Sequence, residues 1–178
     1  MSKHIAFLRA INVGGHNVKM DHLRQLFESI GLSNVETFIA SGNVIFEAKA
    51  GNAKALEKKI ETSLHKALGY EVSTFIRTDA ELAKIASYRP FPQPQLDAAT
   101  ALNIGFLAEA LNDATKQKLM SMQTDIDDFN FHGREIYWLC KKKQSDSKIS
   151  NVVIEKTLGT KTTLRGVNTV YKMAEKYT

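Results

Sequence analysis

Two short stretches carry the residue types from which a ligand cradle could be built. From Arg9 to Met20 the chain reads R-A-I-N-V-G-G-H-N-V-K-M, an apolar run that breaks into paired glycines and then resumes with helical spacing; Ser41, Gly42 and Asn43 form a second break. Backbone N–H groups where a strand turns into a helix can hold an anion. Gly14 and Gly15 would let a ligand approach the main chain, Asn12, Ser41 and Asn43 supply hydrogen-bonding side chains, and Arg9 supplies a cation. The opposing reading is structural: glycine pairs make turns, and Ser and Asn bond locally beside them. Neither stretch is a known phosphate motif, because the Gly-Lys-Ser/Thr ending and the three-glycine dinucleotide fingerprint are both missing. Ser41 lacks a G-x-S-x-G context and an assigned base, which removes the argument for a serine nucleophile.

A third group lies near the C-terminus. Arg165 and Asn168, with Lys172, fall at i, i+3 and i+7 of a helical pattern, opposite its apolar stripe of Leu164, Val167, Val170, Tyr171 and Ala174. This is either a hydrated helix face or the cationic side of a pocket formed with the glycine stretches. The five histidines, His4, His16, His22, His65 and His132, form no i, i+3 or i, i+4 pair with one another or with the single Cys140, so no metal and no cofactor is expected. His16 alone falls in the first stretch.

The 178 residues suffice for a hydrophobic core, and 43% hydrophobic with 24% charged residues describes an ordinary globular chain. No apolar run is long enough to span a membrane, and Arg9 interrupts the N-terminal run too early for a signal peptide, so a cytoplasmic location is expected. The net charge of +5 is unevenly held: ten Lys and Arg against four Asp and Glu from Arg134 onward give +6, leaving about −1 for everything upstream. Lys141, Lys142 and Lys143 belong to this basic region, which could attract nucleic acid.

The elements that must position these residues repeat. His4 to Ile11 reads as a strand and Met20 to Ile30 as a helix ending at Gly31. Val35 to Ala40 and Val44 to Phe46 read as a hairpin about the S-G-N turn, Asn52 to Gly69 as a capped helix, and Val72 to Ile76 as a strand. That order is the split βαβ of a ferredoxin-like unit. Thr78 and Glu81 form a capping box, and Pro90, Pro92 and Pro94 imply a stiff extended connection over 88–96. Beyond it the pattern restarts: a strand from Ala101 to Leu107, a helix from Asn112, a hairpin around Gly133, a helix before Gly159, a final strand missing or reduced near Lys161, and a last helix from about Thr163. The expected class is therefore α+β, two ferredoxin-like subdomains at 1–87 and 97–178 from an internal duplication. Aligning the hairpins puts Phe38 over Phe129, Gly42 over Gly133 and Phe46 over Tyr137.

This topology brings the loop after the first strand and the turn after the second strand to one end of the sheet, near Gly69 and Tyr70. The corresponding loop of the second half, F-L-A-E-A-L-N-D, makes its turn without glycine and in fewer residues. Folding alone does not demand the form of the first loop. An RNA-binding module shares the plan, but neither S-G-N-V-I-F-E nor H-G-R-E-I-Y-W supplies its stack of aromatics.

F-L-R-A-I-N-V-G-G, S-G-N-V-I-F and L-G-T-K-T-T-L-R-G-V-N-T resemble three signature stretches of an uncharacterised bacterial family, domain of unknown function 1697. The resemblance implies two ferredoxin-like subdomains and no established activity, ligand or catalytic residue. In the last stretch the family's arginine is commonly followed by Asn-Trp-Asn-Thr, where this chain has Gly166, Val167, Asn168 and Thr169. Three functional readings stand. The leading one is binding of a small anionic or nucleotide-like ligand at a rim of Arg9, Asn12, Gly14, Gly15, Ser41, Gly42 and Asn43, with Arg165 and Asn168. The others are an enzyme acting on a phosphate- or acyl-bearing molecule at that rim, and an interaction module using the basic C-terminal region.

Overall fold

The computed structural model describes residues 1–12, 15–39, 42–49 and 51–178. It divides into one unit of Met1–Lys84 with Met173–Thr178 and a second of Ile85–Lys172. In the first, β1 (Ser2–Leu8), α1 (Met20–Ser29), β2 (Ser33–Thr37), β3 (Asn43–Ala48), α2 (Ala53–Leu68) and β4 (Thr74–Thr78) follow one another, and the sheet order is β2-β3-β1-β4 with every neighbour antiparallel. Local chemistry sets these boundaries. Asn52 accepts from the Lys54 N–H at 2.9 Å to start α2, and Gly69 ends it at φ 84°. The Thr78 hydroxyl accepts from the Glu81 N–H at 3.1 Å while the Glu81 carboxylate accepts from the Thr78 N–H at 2.8 Å, starting α3 (Asp79–Ser87).

The second unit holds α4 (Gln93–Ala98), β5 (Ala101–Phe106), α5 (Asp113–Met120), β6 (Asp127–His132), β7 (Glu135–Cys140), α6 (Asn151–Leu158) and β8 (Thr163–Gly166), with the first residues of α7 (Val167–Tyr177). Its sheet order, β6-β7-β5-β8, is that of the first unit strand for strand. The fold is thus a duplicated ferredoxin-like α+β arrangement. In each unit one sheet face packs on the two helices: Ala6, Leu8, Phe46 and Ile76 with Phe27 and Ile60 in the first, Ile136, Trp138 and Cys140 with Leu119 and Ile154 in the second. The opposite faces, Ile5, Phe7, Ile45 and Phe75, and Ile104, Phe106, Tyr137 and Leu139, are buried as well. That explains why I-A-F-L and I-Y-W-L-C are continuous apolar runs without alternation.

Three sequence expectations change. The final strand exists: Thr163–Gly166 pairs with β5, and the helix begins only at Val167. Leu164 and Val167 have helical spacing, but Leu164 packs toward the helix-side core from a strand. The Pro-rich stretch is not extended throughout; Pro94 sits in the first turn of α4, where a missing N–H costs nothing. The hairpin alignment slips by one. Ile5 pairs with Ile45 and Arg77, and Ile104 pairs with Tyr137 and Arg165, so Ile45 corresponds to Tyr137, Phe46 to Trp138 and Gly42 to Arg134. A shift of one residue exchanges sheet faces, and only this register puts Phe46 and Trp138 both in helix-side cores.

Candidate functional site

The first unit's rim is the end of the sheet where β1 stops. There the Leu8 N–H donates to the Gly42 carbonyl at 2.8 Å and the Arg9 N–H to the Ser73 carbonyl at 2.9 Å, so the departing chain is held between the β2–β3 turn and the entry to β4. The Tyr70 hydroxyl donates to the Ile11 carbonyl at 2.8 Å, and the His16 ring lies on the Tyr70 ring with centroids 3.7 Å apart and an 18° tilt. Asn12 accepts from the Val18 N–H at 2.7 Å and closes the loop from within. Partial burial holds the Tyr70 hydroxyl above its ordinary pKa, so it remains a donor to Ile11 through neutral pH.

Two non-glycine residues of this rim have left-handed backbone: Ala10 at φ 54° and Ile39 at φ 48°. For a β-branched residue such as Ile39 this conformation is a true outlier. Asn34 at φ 49°, the third non-glycine case among the described residues, is a type that tolerates it and sits at the β2–β3 register shift. Among the described residues of the second unit, positive φ belongs to glycines alone.

The sequence-predicted residues separate by role. Arg9 is half-buried, Gly15 is exposed at φ 85°, and Asn12, though exposed, spends its side-chain oxygen on Val18. Gly42 is buried with its carbonyl engaged by Leu8. Asn43 is 2% exposed, its Nδ2 donating to the Phe38 carbonyl at 3.1 Å while its own carbonyl accepts from the Phe38 N–H at 3.0 Å, which makes it a hairpin clamp. Gly14 and Ser41 lie outside the described residues. Arg165 and Asn168 belong to the second unit, and Arg165 sits on β8 rather than on a helix face with Asn168. Its Nη1 donates to the Thr163 hydroxyl at 2.7 Å and the Leu164 carbonyl at 2.8 Å, and burial pushes the guanidinium down to about 10. Tyr70 is the rim residue that sequence reasoning only brushed; the signal was an aromatic directly after the glycine that ends α2.

The second unit repeats the frame with less on it. The Leu107 N–H donates to the Arg134 carbonyl at 3.0 Å, the counterpart of Leu8 and Gly42. Asn112 caps α5 through the Thr115 N–H at 2.8 Å, and Thr160 follows Gly159 where Tyr70 follows Gly69. A hollow of about 230 Å³ lined by Leu111, Asn112, Leu158 and Thr160 is found there. Elsewhere in this unit Trp138 and Tyr137 are at most 1% exposed, so neither ring is open to a stacking base. Burial, with the Asp127 charge beside it, pushes the Cys140 thiol up to about 11, which makes it a poor nucleophile. Among the described residues no group of three His, Cys, Asp or Glu is arranged to hold a metal, and no helix is long and apolar enough to cross a membrane.

Two antiparallel sheets of identical order, each backed by two helices, define a duplicated ferredoxin-like protein. The chain belongs to the protein family of unknown function DUF1697, whose model matches residues 1–137. The matched span contains the first-loop and S-G-N stretches and stops before the segment that holds Arg165 and Asn168. The conserved bacterial protein SP0830 from Streptococcus pneumoniae has a similar structure, with a TM-score of 0.81 at 22% identity over 99% of this chain and 98% of that one. None of the curated proteins compared with the chain matches it.

Proposed function

We propose that the rim of the first unit binds a small anionic, nucleotide-like ligand. The observation that carries this reading is the elaboration of that rim over its counterpart: residues 9–19 against 107–112 between strand and helix, and four residues against two between the paired ends Phe38 and Asn43, and His132 and Glu135. Left-handed backbone at Ala10 and Ile39 is confined to the longer version. Strain of this kind is retained where the surrounding structure enforces it, and it collects at binding sites. Arg9 and the loop N–H groups supply the anion-holding side, and the His16–Tyr70 stack supplies an aromatic surface for a base. Asn12 acts by fixing the loop's shape through Val18. The same reading places the protein in the bacterial cytoplasm, in keeping with its single thiol.

The test is a thermal-shift series with nucleoside mono- and diphosphates, phosphorylated sugars and inorganic phosphate, on the parent protein and on Arg9→Ala and His16→Ala. A nucleotide should raise Tm with concentration, Arg9→Ala should abolish the shift, and His16→Ala should reduce it for nucleotides but not for inorganic phosphate. No shift from any probe, or equal shifts in both variants, would rule the rim out.

A further inference from the structure

The second unit contains a cavity of about 510 Å³ that the rim reading does not use. It lies between α4, the first residues of β5 and the start of α7, at the end of β5 away from the 107–112 connection. Its volume is in the range of small-molecule sites. The wall carries one cation, Arg89, and one carboxylate, Asp97, which the Gln93 amide orients by donating at 2.8 Å. Asn103 is buried in the same wall at 9% exposure. Its Nδ2 donates to the Gln144 side-chain oxygen at 3.0 Å, while its Oδ1 accepts no hydrogen bond among the described residues. An accessible amide oxygen in a cavity wall can accept from a bound donor. The first turn of α7, from Val167, also lines the cavity and holds no acidic residue to offset the positive end of its backbone. Leu96, Leu102 and the part-exposed Tyr171 complete the lining with apolar surface.

We propose that this cavity binds a free amino acid with an apolar side chain, as the zwitterion. A simple anion would meet Asp97, and a simple cation would meet Arg89 and the helix start; a molecule bearing both charges on one carbon can satisfy both. The α-carboxylate lies toward Arg89 and the first N–H groups of α7, the α-ammonium toward Asp97 and the open Oδ1 of Asn103. The side chain rests on Leu96, Leu102 and Tyr171. The site is independent of the rim and would survive the failure of that reading.

Isothermal titration with L-leucine and L-phenylalanine tests it, with N-acetyl-leucine and leucinamide as controls that each lack one charge. At least one free amino acid should bind and both controls should fail. Arg89→Ala and Asp97→Asn should each weaken binding about tenfold or more, the loss expected of one charge-assisted contact. Both side chains are exposed, so neither variant should change Tm without ligand. Arg9→Ala should bind as the parent does. Absence of heat with every free amino acid, binding of N-acetyl-leucine as tight as that of leucine, or variants indistinguishable from the parent would each overturn the proposal.

Discussion

The two units share their strand order, their register and even an arginine, yet they differ at the rim. Arg77 on β4 and Arg165 on β8 pair with the corresponding residues Ile5 and Ile104, and each donates from Nη1 to the carbonyl of the residue before it, at 2.8 Å. An arginine that recurs at one register position, fully buried in one unit and half-buried in the other, is explained by the fold before it is explained by a ligand. That moves Arg165 away from the site assigned to it by spacing. The rim connections behave in the opposite way: the second unit closes the same turns in fewer residues and with only glycine at positive φ. What both halves keep belongs to folding; what one half adds is where function should be sought.

The correspondence is broken most forcefully at the core. Phe46 and Trp138 hold equivalent places and are both fully buried, so Phe46→Ala and Trp138→Ala should each cost about 3–5 kcal/mol, measured by denaturant unfolding. Trp138 also donates its indole N–H to Asp127 at 2.9 Å, and its loss should fall at the upper end because that buried carboxylate loses a donor. A loss below about 1 kcal/mol at either position would mean that the register matching of the halves is wrong.

Much of this is legible in the sequence. Asn52, Gly69, Gly159 and the Thr78–Glu81 box marked helix ends because each satisfies orphan backbone groups through its own side chain or a left-handed turn, and such chemistry is local. Convergence of the rim followed from topology. The relative register of the hairpins was not legible: F-I-A-S-G-N and F-N-F-H-G-R can be matched at their glycines, but the turns differ in length, and only pairing across to β1 and β5 fixes the offset. The T-T-L-R-G segment failed for a related reason. Four residues of edge strand leave no periodic signature, and the helix that follows lends them its spacing. The hydrogen-bonding roles of Asn12 and Asn43 were likewise hidden, since composition gives the amide but not its partner.

A second contrast lies along the edge hairpins. In the first unit Tyr177 packs edge-on against Phe38 and donates to the Glu36 carboxylate at 2.9 Å; in the second, Tyr88 stacks on His132 with centroids 4.1 Å apart, and Asn130, in the place of Glu36, donates to the Pro90 carbonyl. The tyrosine anchor thus recurs, but only Tyr177 is tied to a carboxylate. Burial, first, and then the Glu36 carboxylate push the Tyr177 hydroxyl up to about 12 from 10.0. Because the unfolded phenol ionises near 10.0 and the folded one near 12, its stabilisation is complete below pH 10 and is lost as pH rises toward 12. Tyr177→Phe should cost about 2 kcal/mol at pH 8 and flatten that alkaline decline, read from urea unfolding at pH 8, 10 and 11. An unchanged pH profile would show that Glu36 does not hold the hydroxyl.

The finest test sets Asn12 against Asn112. Both asparagines accept a backbone N–H near the start of the helix that follows the first strand of their unit, from Val18 at 2.7 Å and from Thr115 at 2.8 Å. Asn112 is an ordinary helix cap, one residue before α5, whereas Asn12 reaches across six positions to shape a loop, and Lys19, the residue before α1, makes no side-chain cap. Alanine at either position should therefore remove about 1 kcal/mol of stability. The two variants should part company on ligand response: Asn112→Ala should keep the nucleotide-induced rise in Tm and Asn12→Ala should lose most of it, because relaxing the loop moves the N–H groups that would hold the anion. If both variants respond alike, the longer connection of the first unit is an embellishment of the turn, and the added residues need no ligand to account for them.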